Sequence, residues 1–480
     1  MPGRTSRAPS ALVDMARRPS VSPMCVEIDN HYQQKTYTTS SAVSGNVCIH
    51  PDFHDLYFNS VQILLLGTST THVDSLNLPQ ATTHTFLKLT MPIPNSIYPD
   101  SGCLTAGATL KIPFHFVIPQ HLTLNACGHH ITNDALREQH MHLLPSIGNW
   151  EKDDFSPKMS RISYRVRARA FRDDGNGEFT KVLEASQEIN VIPMSTEEAP
   201  LNITPQDKLY VMSKTKSLRK SIISPKSGKI TVSASQLSAP LVMSPEGRSI
   251  TPTTAQLDFV FEPSSNESQP PKINAVSSKI TAVTYYSTGG ISEFPNLKDW
   301  VRTGYSMYGH GSYSNSTSLA STSIESPHWK QRLCERARRD SGYDSAHASD
   351  SDQSTEQRRQ MRTRKGSPYY YTAKLQVPVE VSTEKRQFLP TFHSCITSRV
   401  YVLSMTVSLS TLAGVTSSIT LAVPIQICVG PREGTSFDAT GLPTFDAAME
   451  EAGLEVDAYL QPRTIAVPDV EFQSQLPGYA

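Results

Sequence analysis

The chain has 480 residues with 44 basic and 44 acidic side chains, so its formal net charge is zero. That balance argues against a general nucleic-acid binder, which carries a basic excess. Hydrophobic residues are 38% and charged residues 18%, a mix that disfavours helical bundles and suits β-domains with long polar connections.

In chain order, residues 1–23 are basic and Ser-rich and contain no apolar run of signal-peptide length. They are expected to form a disordered arm. From residue 24 short strand signals recur: Val26 with Ile28, Ser44 to His50, Val61 to Leu66 closed by Gly67 as a turn residue, Thr85 to Thr90, Leu110 to Ile118, Ile162 to Phe171 and Glu188 to Ile192. Many short strands separated by Pro, Gly, Asn and Asp, with no long run of period 3.6, predict an all-β sandwich over 24–195. One exception is Asn133 to Leu144, which reads as a short surface helix.

Residues 196–226 read as a linker, and a second sandwich is expected over 227–430. Its strands are predicted at Gly228 to Ala234, Thr254 to Glu262, Ala275 to Tyr286 and Tyr369 to Val381. Within it, residues 329–368 hold ten Lys/Arg, six Asp/Glu and almost no aliphatics, so they read as a disordered insertion. Residues 431–480, with nine Asp/Glu and two Arg, form an acidic tail.

No charge occurs between Arg399 and Arg432, which by length alone would admit a membrane-spanning helix. The periodicity decides otherwise. Leu403, Met405, Val407 and Leu409 alternate with Ser and Thr, and after a turn at Gly414 to Ser418 so do Ile419, Leu421, Val423, Ile425 and Ile427 with mostly polar or small residues. Period two predicts a half-buried hairpin.

Cysteines 25, 48, 103, 127, 334, 395 and 428 are odd in number and contain no CxxC, so neither a disulfide framework nor a four-Cys zinc site is expected. Cys127, His129, His130, His140 and His142 are the richest group of metal-ligand types. His140 and His142 are two apart and would not share a helix face; the group is read as a surface loop with incidental histidines, and no metal or cofactor is expected. No catalytic fingerprint such as G-x-S-x-G, H-E-x-x-H or a Walker loop is present, so no enzyme is expected.

Arg161, Arg165, Arg167 and Arg169 alternate with Ile162, Tyr164, Val166 and Ala168, which places the four arginines on one face of a strand. They are either a site for acidic tails, phosphates or anionic headgroups, or an ordinary solvated face. Lys208, Lys214, Lys216, Lys220, Lys226 and Lys229 crowd the expected linker and are candidate ubiquitin acceptors or a membrane-facing patch. Ser20, Ser341 and Ser367 follow basic residues in polar segments and are candidate phosphosites.

Several pieces in order resemble the fungal α-arrestins, the arrestin-related trafficking adaptors. In the first half these are Val43-Ser-Gly-Asn-Val, Val61-Gln-Ile-Leu-Leu-Leu-Gly, His84-Thr-Phe-Leu-Lys, the run from Leu104 to Pro119, and Ile162-Ser-Tyr-Arg-Val-Arg-Ala. In the second they are Ser227-Gly-Lys-Ile, Pro270-Pro-Lys-Ile, Pro390-Thr-Phe-His-Ser-Cys-Ile and Ser398-Arg-Val-Tyr. The resemblance covers about residues 24–430. It implies two consecutive arrestin-like sandwiches joined at a polar interface. It further implies a cytoplasmic adaptor, peripheral to the plasma membrane or endosomes. Such an adaptor brings a WW-domain HECT-type ubiquitin ligase to the cytosolic tails of transporters or receptors. The family's docking motif is P/L-P-x-Y; Leu476-Pro477-Gly-Tyr479 fits its looser form, and Leu442-Pro443-Thr-Phe445 is a copy with Phe in place of Tyr. A short polyproline segment presents Pro477 to an aromatic groove at low entropy cost, and Tyr479 adds a ring and a hydroxyl.

Overall fold

Alternation in the sequence becomes burial along each strand. In the computed structural model, residues 22–74, 79–99, 101–175, 178–219, 226–297, 300, 309–319, 327–333, 367–411 and 414–430 are described. On the strand Ser160–Asp173, Ile162, Tyr164, Val166, Ala168 and Ala170 are all buried, while Arg161, Arg165, Arg167 and Arg169 point to the other face.

The first sandwich faces a three-stranded sheet with a five-stranded one. The smaller sheet runs Met24–Ile28, Ala42–Ile49, Leu110–Val117, all antiparallel. The larger has the order Thr36–Tyr37, Phe179–Val191, Ser160–Asp173, Ser60–Asp74, Pro79–Met91. Val43, Val47, Ile112 and Phe114 from one sheet meet Ile63, Leu65, Tyr164 and Val166 from the other. Burying each such large side chain contributes on the order of 1.5–3 kcal/mol.

Gly67 does not end its strand. The strand continues to Asp74 through a register shift between Gly67 and Thr68. A Cβ at Gly67 would lie 2.5 Å from the Phe86 ring, so this glycine answers a close approach across the sheet and not a turn.

The second sandwich sets the order Ser213–Arg219, Lys226–Ala234, Thr253–Pro263, Tyr369–Val379, Lys330–Leu333 against His310–Ser318, Lys272–Ser287 and Thr397–Ser410. Thr416–Ile425 pairs with Thr397–Ser410 in the expected hairpin, Leu403 opposite Val423 and Val407 opposite Ile419. Phe259, Phe261, Leu375, Val377, Met405 and Leu421 fill its interior. Among the described residues, no helix is long and apolar enough to cross a membrane.

Two expectations are corrected. The stretch read as a linker contains the edge strand Ser213–Arg219, and its earlier part covers the outer face of the second sandwich, where Tyr210 packs with Val283, Tyr285, Val400 and Val402. The stretch read as a disordered insertion begins with the strand Lys330–Leu333, whose four residues are all exposed and pair with Tyr369 to Thr372. Backbone pairing at a sheet edge needs no apolar side chain, so composition alone did not reveal it.

The sandwiches exchange side chains. Phe155, from a loop of the first, is fully buried in the core of the second and lies 5.1 Å from the Phe388 ring. Leu389 and Phe392, from the second, belong to the core of the first. Phe155 holds a left-handed φ of 60°, a conformation that costs on the order of 1 kcal/mol and is offset by burial of the ring.

Candidate functional site

The arginine face lies on the outer surface of the five-stranded sheet, and its four members differ in their partners. Arg161 meets Glu188 at 3.0 Å. Arg169 donates from Nε and Nη2 to one Glu184 oxygen, at 3.1 and 3.0 Å. Lys181 donates to the other oxygen, and it, with Arg169, holds the Glu184 carboxyl below its usual range.

Arg165 and Arg167 lie between those pairs, with cross-strand neighbours Glu188 and Ser186 on one side and Leu66 and Leu64 on the other. No carboxylate among the described residues lies within ion-pair distance of either guanidinium. Their Nε groups are buried and have no hydrogen-bond partner. Burial, with Arg169 nearby, lowers the Arg167 pKa.

Leu66, Thr68, Thr83, Thr85 and Lys88 complete a groove around these two arginines. Leu66, itself buried, gives the groove an apolar side. Two guanidiniums and an ammonium with hydroxyl donors alongside can take a carboxylate or phosphate group, the guanidinium fork matching the two oxygens.

A second polar region lies between the sandwiches. Arg399 is 0% exposed, yet its guanidinium is matched on three sides. Nε donates to Thr284 Oγ1 at 2.7 Å, Nη1 to the Asp154 carbonyl at 2.9 Å and Nη2 to Ser156 Oγ at 3.1 Å. Thr397 Oγ1 lies 3.0 Å from Ser160 Oγ and 3.3 Å from Ser69 Oγ, and Thr71 Oγ1 donates to the Ser287 carbonyl at 2.7 Å. Arg386 pairs with Asp153 and its guanidinium stacks over Phe155.

The histidine-rich segment is not the surface loop expected. The helix stops at Gln139, and His140 is 1% exposed. Cys127, His129 and His140 converge with Cys395 from the second sandwich, their ligand atoms all within 4.8 Å of one another. His142 turns away, its ring tilted against that of His121 at 5.6 Å, and His130 is exposed. The missed signal was Cys395, remote in sequence and lacking any spacing motif.

Of the other candidates, Lys208 is exposed, Lys214 and Lys216 lie on the strand Ser213–Arg219, and Lys226 and Lys229 on Lys226–Ala234. Lys216 Nζ donates to the Ser418 carbonyl at 3.1 Å. Ser367 is half-buried and accepts from the Tyr369 amide at 3.3 Å. Ser20, Lys220, Ser341, Leu442, Pro443, Phe445, Leu476, Pro477 and Tyr479 lie outside the described residues.

A small cavity of about 80 Å³ is lined by Glu198, Tyr210, Asn296, His393 and Tyr401, among others. Burial pushes the Glu198 carboxyl up to about 7 and the His393 imidazole down to about 3. Sites for small-molecule substrates run to roughly 300–1,000 Å³. A serine–histidine pair, Ser44 Oγ to His115 Nδ1 at 2.8 Å, is an exposed cross-strand pair.

Two β-sandwiches that trade core side chains across a polar seam are consistent with the arrestin-like architecture. Residues 297–429 match the family model described as Bul1 C terminus, from the arrestin-related proteins. No curated protein matches the chain.

Proposed function

We propose that this protein is an adaptor that joins a WW-domain HECT-type ubiquitin ligase to plasma-membrane transporters or receptors, promoting their ubiquitination and endocytosis. The observation that carries the cargo half is the pair Arg165 and Arg167, left without carboxylate partners in a groove of the arrestin-like first sandwich. An acidic or phosphorylated cytosolic tail supplies the acceptors these side chains lack. The family match to arrestin-related adaptors supports the ligase half. Leu476, Pro477 and Tyr479 would dock the WW domain, with Leu442, Pro443 and Phe445 as a second contact.

In this reading the protein works in the cytoplasm, peripheral to the plasma membrane or endosomes, and Lys208, Lys214, Lys216, Lys220, Lys226 and Lys229 are ubiquitin acceptors. Phosphate on Ser20, Ser341 or Ser367 would add up to about two negative charges each and tune docking.

Affinity capture from cells tests both halves. Tyr479→Ala empties an aromatic pocket worth on the order of 2 kcal/mol, so ligase capture should fall roughly thirty-fold. Deleting the last five residues should reproduce that loss, and Phe445→Tyr should strengthen capture. Undiminished ligase capture by a Tyr479→Ala, Phe445→Ala double variant would make a ligase-independent scaffold in endosomal sorting or pH signalling the better reading.

A further inference from the structure

We propose that Cys127, His129, His140 and Cys395 form a tetrahedral zinc site that locks the two sandwiches together. Two thiols and two imidazoles are the donor set of a structural zinc site, and their softness excludes calcium and magnesium.

The spacing fits. Zn–S bonds near 2.3 Å and Zn–N bonds near 2.0 Å give a tetrahedron with ligand–ligand edges of roughly 3.3–3.8 Å. Cys127 Sγ lies 3.6 Å from His129 Nδ1 and 3.8 Å from His140 Nδ1. All four donor atoms fall within 4.8 Å of one another, so contraction by about an ångström closes the set.

The surroundings hold the donors in place. His129 Nε2 lies 3.0 Å from the Ile291 carbonyl, which makes Nε2 the protonated nitrogen and leaves the Nδ1 lone pair toward Cys127. The Ile291 amide in turn donates to the Cys395 carbonyl at 2.8 Å, so one residue of the second sandwich ties a ligand from each side. Gly290 admits the His129 ring, since a Cβ there would sit 2.6 Å from it. Thr132 adds a clasp beside the cluster, its Oγ1 donating to the Ser292 carbonyl at 2.9 Å.

His140 is 1% exposed, so the Nδ1 that lies 3.8 Å from Cys127 Sγ is held away from water. Cys395 is 5% exposed, so the donor from the second sandwich is also held away from water.

Metal binding releases one proton from each thiol to solvent and forms two Zn–S and two Zn–N bonds with no change of oxidation state. Three ligands come from the first sandwich and one from the second, so the ion cross-links them without a covalent bond between the chains' two halves.

The test is metal content of the full chain, purified without chelator and measured by mass spectrometry of the elements. About one zinc per chain is expected. Replacing zinc by Co²⁺ should give thiolate-to-cobalt charge transfer and the strong d–d absorption of a tetrahedral site. Cys395→Ser and His129→Ala should each lower zinc affinity by tenfold or more, while His142→Ala, beside the cluster but outside it, should retain the metal. Less than a tenth of an equivalent of zinc after reconstitution, or an octahedral cobalt spectrum, overturns the proposal. So does a Cys127–Cys395 disulfide as the main state in non-reducing peptide mapping of protein from reducing cells. A folded Cys395→Ser chain holding as much zinc as wild type also overturns it.

Discussion

Arg399 and the pair Arg165 and Arg167 are the same side chain under opposite bookkeeping. Arg399 is wholly buried, but a hydroxyl, a carbonyl and a second hydroxyl receive its three donor directions. Arg165 and Arg167 keep partial access to solvent, yet their buried Nε groups meet no acceptor. Where donors are matched within the fold, a buried cation holds structure together; where they are left over, the side chain gains no internal contact to offset the cost of burying them. Arg161 and Arg169, on the same strand, sit between these cases with ordinary carboxylate partners.

Removing the matched arginine should have the largest effect. Arg399→Leu leaves the Asp154 carbonyl and the Thr284 and Ser156 hydroxyls of the seam without their donor. Stability should fall by about 3–5 kcal/mol in urea unfolding. Arg399→Lys should recover little of it, since an ammonium cannot serve three directions from one plane. A loss below about 1 kcal/mol would break the comparison on the structural side.

Reversing the unmatched pair should do the opposite. Arg165→Glu with Arg167→Glu should lower stability by no more than about 1 kcal/mol, because no internal ion pair is lost and the cost is that of a new carboxylate opposite Glu188. Binding of acidic or phosphorylated tail peptides, followed by titration calorimetry, should drop at least tenfold at low salt and decline for wild type as salt is added. Equal binding by wild type and double variant would return these residues to an ordinary solvated face.

Glu198 applies the same reasoning to an acid. Its pKa is raised by burial to about 7, so the folded chain keeps a proton that the unfolded chain gives up near 4.5. Stability from this group is complete below about 4.5 and is lost as pH rises through about 7. With partial exposure discounted, the loss is about 1 kcal/mol. Glu198→Gln should flatten that part of the stability–pH curve and be the more stable chain at pH 8, as urea midpoints across the range will register. The smallest effect belongs to the paired arginines: Arg161→Gln or Arg169→Gln should cost about 0.2–1 kcal/mol each, since both pairs face solvent.

Much of the fold was legible in the chain because strand burial has a period of two and needs no knowledge of the partner strand. The 400–429 hairpin is the clearest case, with Leu403, Met405, Val407 and Leu409 in the core as the alternation required. The arginine stripe was legible on the same ground. Which of its members would be paired was not, because Glu184 and Glu188 reach Arg169 and Arg161 only once the neighbouring strand takes its register. Gly67 misled for a related reason: glycine marks a turn or a close approach, and only the ring of Phe86 above it tells which.

The sequence by itself determined the β class, the two-part order of the strands and the face on which the arginines stand, since these follow from local periodicity and from the side-chain geometry of a strand. Tertiary structure alone decided what crosses the seam: Phe155 entering the far core, Arg399 finding Asp154 and Ser156, and Cys395 joining Cys127, His129 and His140. Those meetings depend on how two sandwiches dock, and docking brings together residues whose separation along the chain carries no periodic signal.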